Sequence, residues 1–106
     1  MSRKKEVRAA FRDAVFNRDR NVCKVCGGGG DLDAHHIIDR NEMPHGGYVP
    51  ANGITLCAEC HLKAEAWHAT GRPVPGYSPE ELYALIGSTL EKAIEGSEKL
   101  RNDGEL

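Results

Sequence analysis

The 106-residue sequence has no apolar run approaching the roughly 18 residues needed to cross a bilayer, which argues against a membrane-spanning segment. No apolar stretch follows the basic start at residues 1–5, so we expect no signal peptide. The glycine run 27–30 lacks the Gly-Lys-Ser/Thr ending of a P-loop, and we interpret it as a hairpin tip. These absences predict a cytoplasmic protein, in which thiols stay reduced.

The sequence also lacks a strong net charge, at −2 at pH 7, so total charge does not indicate a nucleic-acid partner. The distribution is uneven. Residues 1–26 contain eight Lys or Arg and three Asp or Glu. Residues 27–72 contain three basic and six acidic residues, and residues 73–106 contain three basic and seven acidic residues. A phosphate-binding surface and a solvated helix face are both compatible with the basic first segment.

The length predicts one domain spanning residues 1–106, and the helices and strands predicted within it are those of an α+β protein. Hydrophobic spacing predicts helix 4–20, strands 32–39 and 53–56, a helix from Cys57 through Trp67, and a last helix from Ser78 to about Leu100. The last helix has a strong start, with Ser78 as N-cap and Glu81 three residues later. Its predicted apolar stripe consists of Tyr83, Ile86, Leu90 and Ile94.

All four cysteines lie in two Cys-x-x-Cys pairs, Cys23/Cys26 and Cys57/Cys60. In a reduced compartment this pairing is typical of a tetrahedral zinc site. A redox pair usually occurs singly, beside a thioredoxin-like βαβ pattern that is missing here. Thirty residues separate Cys26 from Cys57, so we expect a structured excursion that begins and ends at the metal.

Three histidines accompany this excursion. His35 and His36 are adjacent in a predicted strand and therefore point to opposite faces, so one can bind a metal while the other acts differently. His61 follows the last cysteine directly, in the first turn of a helix that the zinc would fix. The alternatives are buried structural histidines or an additional zinc ligand. Four cysteines already complete a tetrahedron, which argues against the latter.

The segment from Phe11 to Glu65 resembles the HNH endonucleases whose ββα-metal core is clamped by a four-cysteine zinc. The matching pieces are CKVCG, DAHHIIDR and ANGITLCAECH, which are specific as a set and weak singly. The resemblance implies a ββα core over about residues 11–70, flanked by an N-terminal helix and a C-terminal helical extension at about 77–101.

The resemblance also implies a role for each matching residue. His36 is expected to be the general base, and Asn52 is expected to hold the strand–loop geometry and orient that base. His35 and His61 are expected to bind the catalytic divalent ion. This ion is expected to be Mg²⁺ or Mn²⁺. Some family members have aspartate where His35 stands, and because histidine is a softer ligand than aspartate, Ni²⁺ or Zn²⁺ are alternatives.

The expected substrate is double-stranded DNA with weak sequence specificity. Compact HNH proteins resemble those of phages and mobile elements, so a protein partner such as packaging machinery is an expectation of the resemblance. The competing hypotheses are a non-catalytic zinc module that binds DNA or protein and a nuclease subunit that needs a partner. Cleavage specificity, nick versus double-strand break and oligomeric state stay open.

Four further residues have two interpretations each. Arg40 is a candidate phosphate contact or a plain surface arginine. Glu65 lies four residues after His61 and could orient it, although an ordinary exposed glutamate is preferred. His45 is a candidate phosphate contact or an exposed loop residue, and the latter is preferred. Trp67 is a core residue or a base-stacking platform, and the former is preferred.

Overall fold

The computed structural model describes the backbone of residues 3–102 and the side chains of residues 5–100. Residues 1–2 and 103–106, the two ends of the predicted domain, lie outside the described residues. The helices are α1 (Arg3–Arg18), α2 (Ala58–Thr70), α3 (Pro79–Leu85) and α4 (Leu90–Asn102), and the strands are β1 (Leu32–His36) and β2 (Gly53–Cys57). The predicted α+β class is confirmed. None of the described helices is long and apolar enough to span a bilayer.

Strands β1 and β2 pair antiparallel and lead into α2, which gives a ββα unit. In their register, His35 faces Ile54 and His36 faces Gly53. Strand β1 ends at His36, three residues before the predicted end, and Ile37 is already in the connecting loop. This loop contains three short 3₁₀ turns, Arg40–Glu42, Pro44–Gly47 and Pro50–Asn52.

Helix α1 is tied to the ββα unit near its C-terminal end. Phe11 and Val15 bury their side chains against the sheet. Buried Asp19 accepts a hydrogen bond of 2.9 Å from the Thr55 backbone N–H and two of 2.8 Å from the Arg18 guanidinium. Arg18 also donates to the carbonyl of Gly53 at 2.7 Å. The helix that carries the basic segment is therefore fixed relative to β2.

The single last helix predicted over residues 78–100 is wrong, since α3 and α4 are separate helices. Helix α3 ends at Leu85, and Gly87 adopts a left-handed φ of +66° that suits glycine at a helix C-terminus. Thr89 then caps α4 by accepting a hydrogen bond of 3.1 Å from the Lys92 N–H. The predicted capping box at Ser78 and Glu81 is present. Leu90, assigned to the apolar stripe, is exposed at the start of α4.

Helix α4 packs against the 3₁₀ turns Pro44–Gly47 and Pro50–Asn52 through small residues. Ala93 and Ser97 are fully buried, and a Cβ on Gly96 would meet Val49 at an ordinary contact distance of 3.5 Å. The extension therefore braces the loop that joins the two strands.

Candidate active site and zinc centre

The four cysteines lie together, with all four sulfurs within 4.8 Å of one another. The Cys26 and Cys57 sulfurs are 3.7 Å apart. Sulfurs at about 2.3 Å from a tetrahedral zinc are separated by about 3.8 Å, so this spacing fits the ion. The cluster joins the turn after α1 to the start of α2 and closes the predicted excursion between Cys26 and Cys57.

The local backbone favours a thiolate at Cys23. Burial alone would raise the pKa of this thiol, but the backbone N–H groups of Cys26, Cys57 and Val25 lower it to about 6. On the other side of the cluster, the Tyr77 hydroxyl donates to the Cys60 sulfur at 3.3 Å. These donors stabilise negative charge on sulfur, as a metal ligand requires.

The adjacent histidines of β1 point in opposite directions, as strand alternation predicts. The His35 ring lies beside α2, at 5.2 Å between ring centroids from both His61 and His68. The His36 ring lies between α1 and the strand-connecting loop, against Phe11 and Tyr48. Both rings line one cavity of about 270 Å³, the catalytic groove, whose wall consists of Asp33, Ala34, His35, His36, Asp39, Arg40, Tyr48, His61, Glu65 and His68.

On the His35 side, the Glu65 carboxylate stands among three histidines. Its Oε2 atom is 3.2 Å from His35 Nδ1 and 3.4 Å from His61 Nε2. His35, Glu65 and His68 each offer a ligand atom, and these atoms lie within 4.8 Å of one another. His61 stands at the edge of this group, with its Nδ1 atom 3.3 Å from Asp33. The preferred interpretation of Glu65 as an ordinary exposed residue is therefore wrong.

The state of His35 fits a metal ligand. The side chain is almost completely buried, and among the described residues its Nε2 has no hydrogen-bond partner, while its Nδ1 has only the 3.2 Å contact with Glu65, which does not have hydrogen-bond geometry. Unpaired buried nitrogens are costly unless an ion or water fills the space beside them. Burial, with the positive potential of His68 and His61, lowers the pKa of His35 to about 3. The ring is therefore neutral at pH 7, which is the form that binds metals.

On the other side, a tight aromatic enclosure fixes the His36 ring. Phe11 stacks on it at 4.6 Å between centroids, and Tyr48 meets it edge-on at 4.7 Å. Gly53, its partner across the sheet, makes room for this packing, because a Cβ there would lie 2.6 Å from the Phe11 ring. The absence of a side chain at position 53 thus lets α1 support the candidate base.

The pKa of His36 lies below the ordinary value for histidine. Burial and the nearby Arg40 charge lower the pKa of His36 to about 4. The ring is consequently neutral at pH 7 and able to accept a proton. A phosphate beside it would raise this pKa, because negative charge stabilises the imidazolium.

Asn52 is completely buried behind the strand-connecting loop. Its Oδ1 accepts from the Ile38 N–H at 3.1 Å, and its Nδ2 donates to the Ile38 carbonyl at 3.1 Å and the Gly47 carbonyl at 3.3 Å. The Tyr83 hydroxyl of α3 donates to the same Oδ1 at 2.7 Å. Asn52 therefore clamps the loop that follows His36, and none of the hydrogen bonds among the described residues joins it to the His36 ring.

The secondary candidates lie at different places. Arg40 is exposed on the groove wall, where its Nη1 donates to the Tyr48 hydroxyl at 3.2 Å. His45 is partly buried in a left-handed turn with φ +53°. Trp67 is half-buried and lines an apolar cavity beside α3, so the expectation of a core residue holds only in part.

Three residues were missed by sequence reasoning. His68 could have been found, because His61, Glu65 and His68 are spaced four and three residues apart and share one helix face. Tyr77 and Tyr83 gave no local signal, since each acts on a residue 17 or 31 positions away.

Comparison with known protein families supports the resemblance to the HNH endonucleases. Residues 23–66 match the HNH endonuclease family. The matched HNH segment contains both cysteine pairs and the residues from β1 to most of α2, while α1 and the C-terminal extension lie outside it. No curated protein and no solved structure matched the chain. The HNH match implies a nuclease that hydrolyses phosphodiester bonds in nucleic acid.

Proposed function

We propose that this protein is a metal-dependent endonuclease that hydrolyses phosphodiester bonds of double-stranded DNA with little sequence preference. The observation that carries the proposal is that the His35 and His36 rings point in opposite directions from β1 and still line the same groove. His35 faces a cluster of metal-ligand types, whereas His36 faces the Arg40 side. The candidate metal site and the candidate base are therefore carried by two consecutive residues of β1.

His35 and His61 are the proposed ligands of the catalytic ion, with the Glu65 carboxylate between them as a third. When bound, Mg²⁺ or Mn²⁺ would act as a Lewis acid on phosphate oxygens. The carboxylate supplies the hard oxygen that these ions prefer, while the histidines also admit Ni²⁺ or Zn²⁺. The spacing of His35, Glu65 and His68 favours His68 as an alternative to His61.

His36 is the proposed general base, since its neutral ring can take a proton from the attacking water. Phe11 and Tyr48 restrict the ring to one orientation, which reduces the entropy lost on reaching the reactive geometry. Arg40 is the proposed phosphate contact, because an exposed guanidinium on the groove wall can pair with phosphate oxygens. Asn52 acts through the backbone that it clamps.

The four cysteines are proposed to bind a structural zinc, and the whole chain is proposed to form one domain around it. Zinc bound by four thiolates has no open coordination position, so it serves the fold and not the reaction. It fixes α2, which carries His61, Glu65 and His68.

The test is nicking of supercoiled plasmid by zinc-loaded protein freed of other ions, with Mg²⁺, Mn²⁺ or Ni²⁺ added singly. Nicking that depends on the added ion is expected. Absence of nicking with every ion, together with retained DNA binding, would favour the non-catalytic zinc module. Activity that appears only with a cellular extract would favour the partner-dependent nuclease.

The ligand set is tested by Mn²⁺ binding to zinc-loaded His61→Ala and His68→Ala, measured by electron paramagnetic resonance. Loss of binding in His61→Ala alone supports the proposed pair. Loss in His68→Ala alone replaces His61 by His68. Unchanged binding in both variants and in Glu65→Gln would exclude an ion at this cluster.

A further inference from the structure

A second groove lies beside the catalytic groove, between α1 and the turn Pro44–Gly47. This flanking groove has a volume of about 410 Å³ and is lined by Val7, Arg8, Arg40, Asn41, His45, Gly46 and Tyr48. Arg40 and Tyr48 also line the catalytic groove, so the two grooves meet at these side chains. A chain-like ligand in one groove can therefore continue into the other.

Tyr48 arranges two guanidinium groups at this junction. The Arg8 guanidinium lies over the ring, 5.5 Å from its centroid, and Arg40 donates to the hydroxyl at 3.2 Å. The edge of the same ring meets His36 at 4.7 Å. One aromatic side chain thus connects the candidate base to two exposed positive charges on different elements.

These positive charges are available to a ligand. Within the described part of the chain, no carboxylate oxygen lies within 4.0 Å of the Arg8 or Arg40 guanidinium. Asp39, the acidic residue nearest to Arg40 in sequence, lines the catalytic groove and not the flanking one. Among the described residues, the wall of the flanking groove therefore offers two guanidinium groups and one imidazole and contains no acidic side chain.

The turn that presents His45 is built around Tyr48. His45 and Gly46 both have positive φ, +53° and +86°, and a Cβ on Gly46 would lie 2.8 Å from the Tyr48 ring. A left-handed conformation is uncommon for residues other than glycine, and here the turn packs against the Tyr48 ring. The His45 imidazole lines the flanking groove together with Arg8.

We propose that the flanking groove is a second phosphate subsite, in which Arg8 and His45 bind a backbone phosphate next to the one held in the catalytic groove. This inference rests on the proposed nuclease function and names a further part of its substrate site. Guanidinium groups bind phosphate oxygens through paired hydrogen bonds. His45 lies inside the matched HNH segment and Arg8 lies outside it, so the N-terminal helix α1 supplies the guanidinium of the subsite.

The test is the salt dependence of binding to a short DNA duplex, measured by fluorescence anisotropy on zinc-loaded protein without added catalytic ion. In Arg8→Gln, the slope of log affinity against log salt is expected to decrease by about 0.9, the value for one lost phosphate contact on duplex DNA. The matched control is Arg12→Gln. Arg12 lies one turn along the same helix, with its guanidinium over the Phe16 ring at 5.1 Å, and lines neither groove.

An unchanged slope in Arg12→Gln and a reduced slope in Arg8→Gln support the subsite. Equal effects of both substitutions would overturn it, because they would indicate only a general loss of positive charge. Absence of duplex binding by the wild type at low salt would overturn it as well. Plasmid nicking by the same wild-type preparation distinguishes this proposal from the proposed nuclease function. A reduced salt slope in Arg8→Gln without nicking by the wild type contradicts only the nuclease function. Nicking by the wild type with an unchanged salt slope in Arg8→Gln contradicts only the subsite.

Discussion

The contact between the C-terminal extension and Asn52 leads to a specific prediction for Tyr83→Phe. The Tyr83 hydroxyl is buried and donates to Asn52 Oδ1 at 2.7 Å. Burial raises the pKa of Tyr83, so the hydroxyl stays protonated and available as a donor at neutral pH. Phenylalanine keeps the ring and its packing, so the substitution removes one hydrogen bond and creates almost no cavity.

The expected cost follows from what remains at Asn52. Its Oδ1 still accepts from the Ile38 N–H at 3.1 Å, so the oxygen is not left without any partner. Because Asn52 Oδ1 keeps one of its two hydrogen bonds, the loss of the other should lower the free energy of unfolding by about 1 kcal/mol. For a domain of this size, that loss lowers Tm by roughly 4–8 °C.

Thermal unfolding of zinc-loaded protein, followed by circular dichroism, measures the effect. Nicking by Tyr83→Phe is expected to fall at temperatures where the variant is fully folded, because the clamp on Ile38 loosens. Ser88→Ala is the control, since it removes a hydrogen bond of 2.8 Å from the extension to the Ala51 carbonyl and leaves the Asn52 side chain intact. A Tm for Tyr83→Phe equal to that of the wild type would refute the reasoning.

Three further predictions concern the frame around the site. Asp19→Asn should lower the unfolding free energy by about 2–3 kcal/mol at pH 7, because charged hydrogen bonds are lost. Although burial alone would raise it, the pKa of Asp19 is lowered by hydrogen bonds from Arg18 and Thr55. The Asp19 carboxylate therefore stabilises the fold above the ordinary carboxyl pKa, and this stabilisation is lost as pH falls through the pKa of Asp19 in the folded protein. In urea titrations, the difference in unfolding free energy between wild type and Asp19→Asn should become smaller in acid. A difference that does not change with pH would contradict this. Gly53→Ala should cost about 1–3 kcal/mol by overpacking against Phe11, as measured by calorimetry, whereas Gly29→Ala should be neutral because nothing lies within 4 Å of its Cβ position. Removal of zinc by a strong chelator should unfold the protein, since such sites supply on the order of 10 kcal/mol; an unchanged circular dichroism spectrum would contradict a structural zinc.

The parts of the site that could be predicted from sequence are those set by short-range spacing. Two Cys-x-x-Cys pairs place sulfurs on tight turns whatever surrounds them, and strand alternation separates His35 from His36. The resemblance to the HNH endonucleases added roles for these residues, and the match over residues 23–66 confirms the resemblance itself. The roles of the individual side chains stay predictions.

The parts that could not be predicted depend on packing between distant segments. The i,i+4 spacing predicts the contact of Glu65 with His61, but Glu65 reaches His35 only because α2 packs on β1, which no local pattern specifies. The division of the last helix depends on Gly87 adopting positive φ, and a glycine within a helical pattern is compatible with either outcome. The low pKa of His36 arises from burial by Phe11 and Tyr48, whose proximity is a tertiary property.

The central claim is that His36 acts as the base of a metal-dependent nuclease. Its most direct test is the single-turnover rate of plasmid nicking by zinc-loaded wild type and His36→Ala, at saturating Mg²⁺ or Mn²⁺. Loss of a general base should lower the rate by about 10²–10⁴-fold, while zinc content and DNA affinity stay at wild-type values. Equal rates in the two folded proteins would contradict the claim.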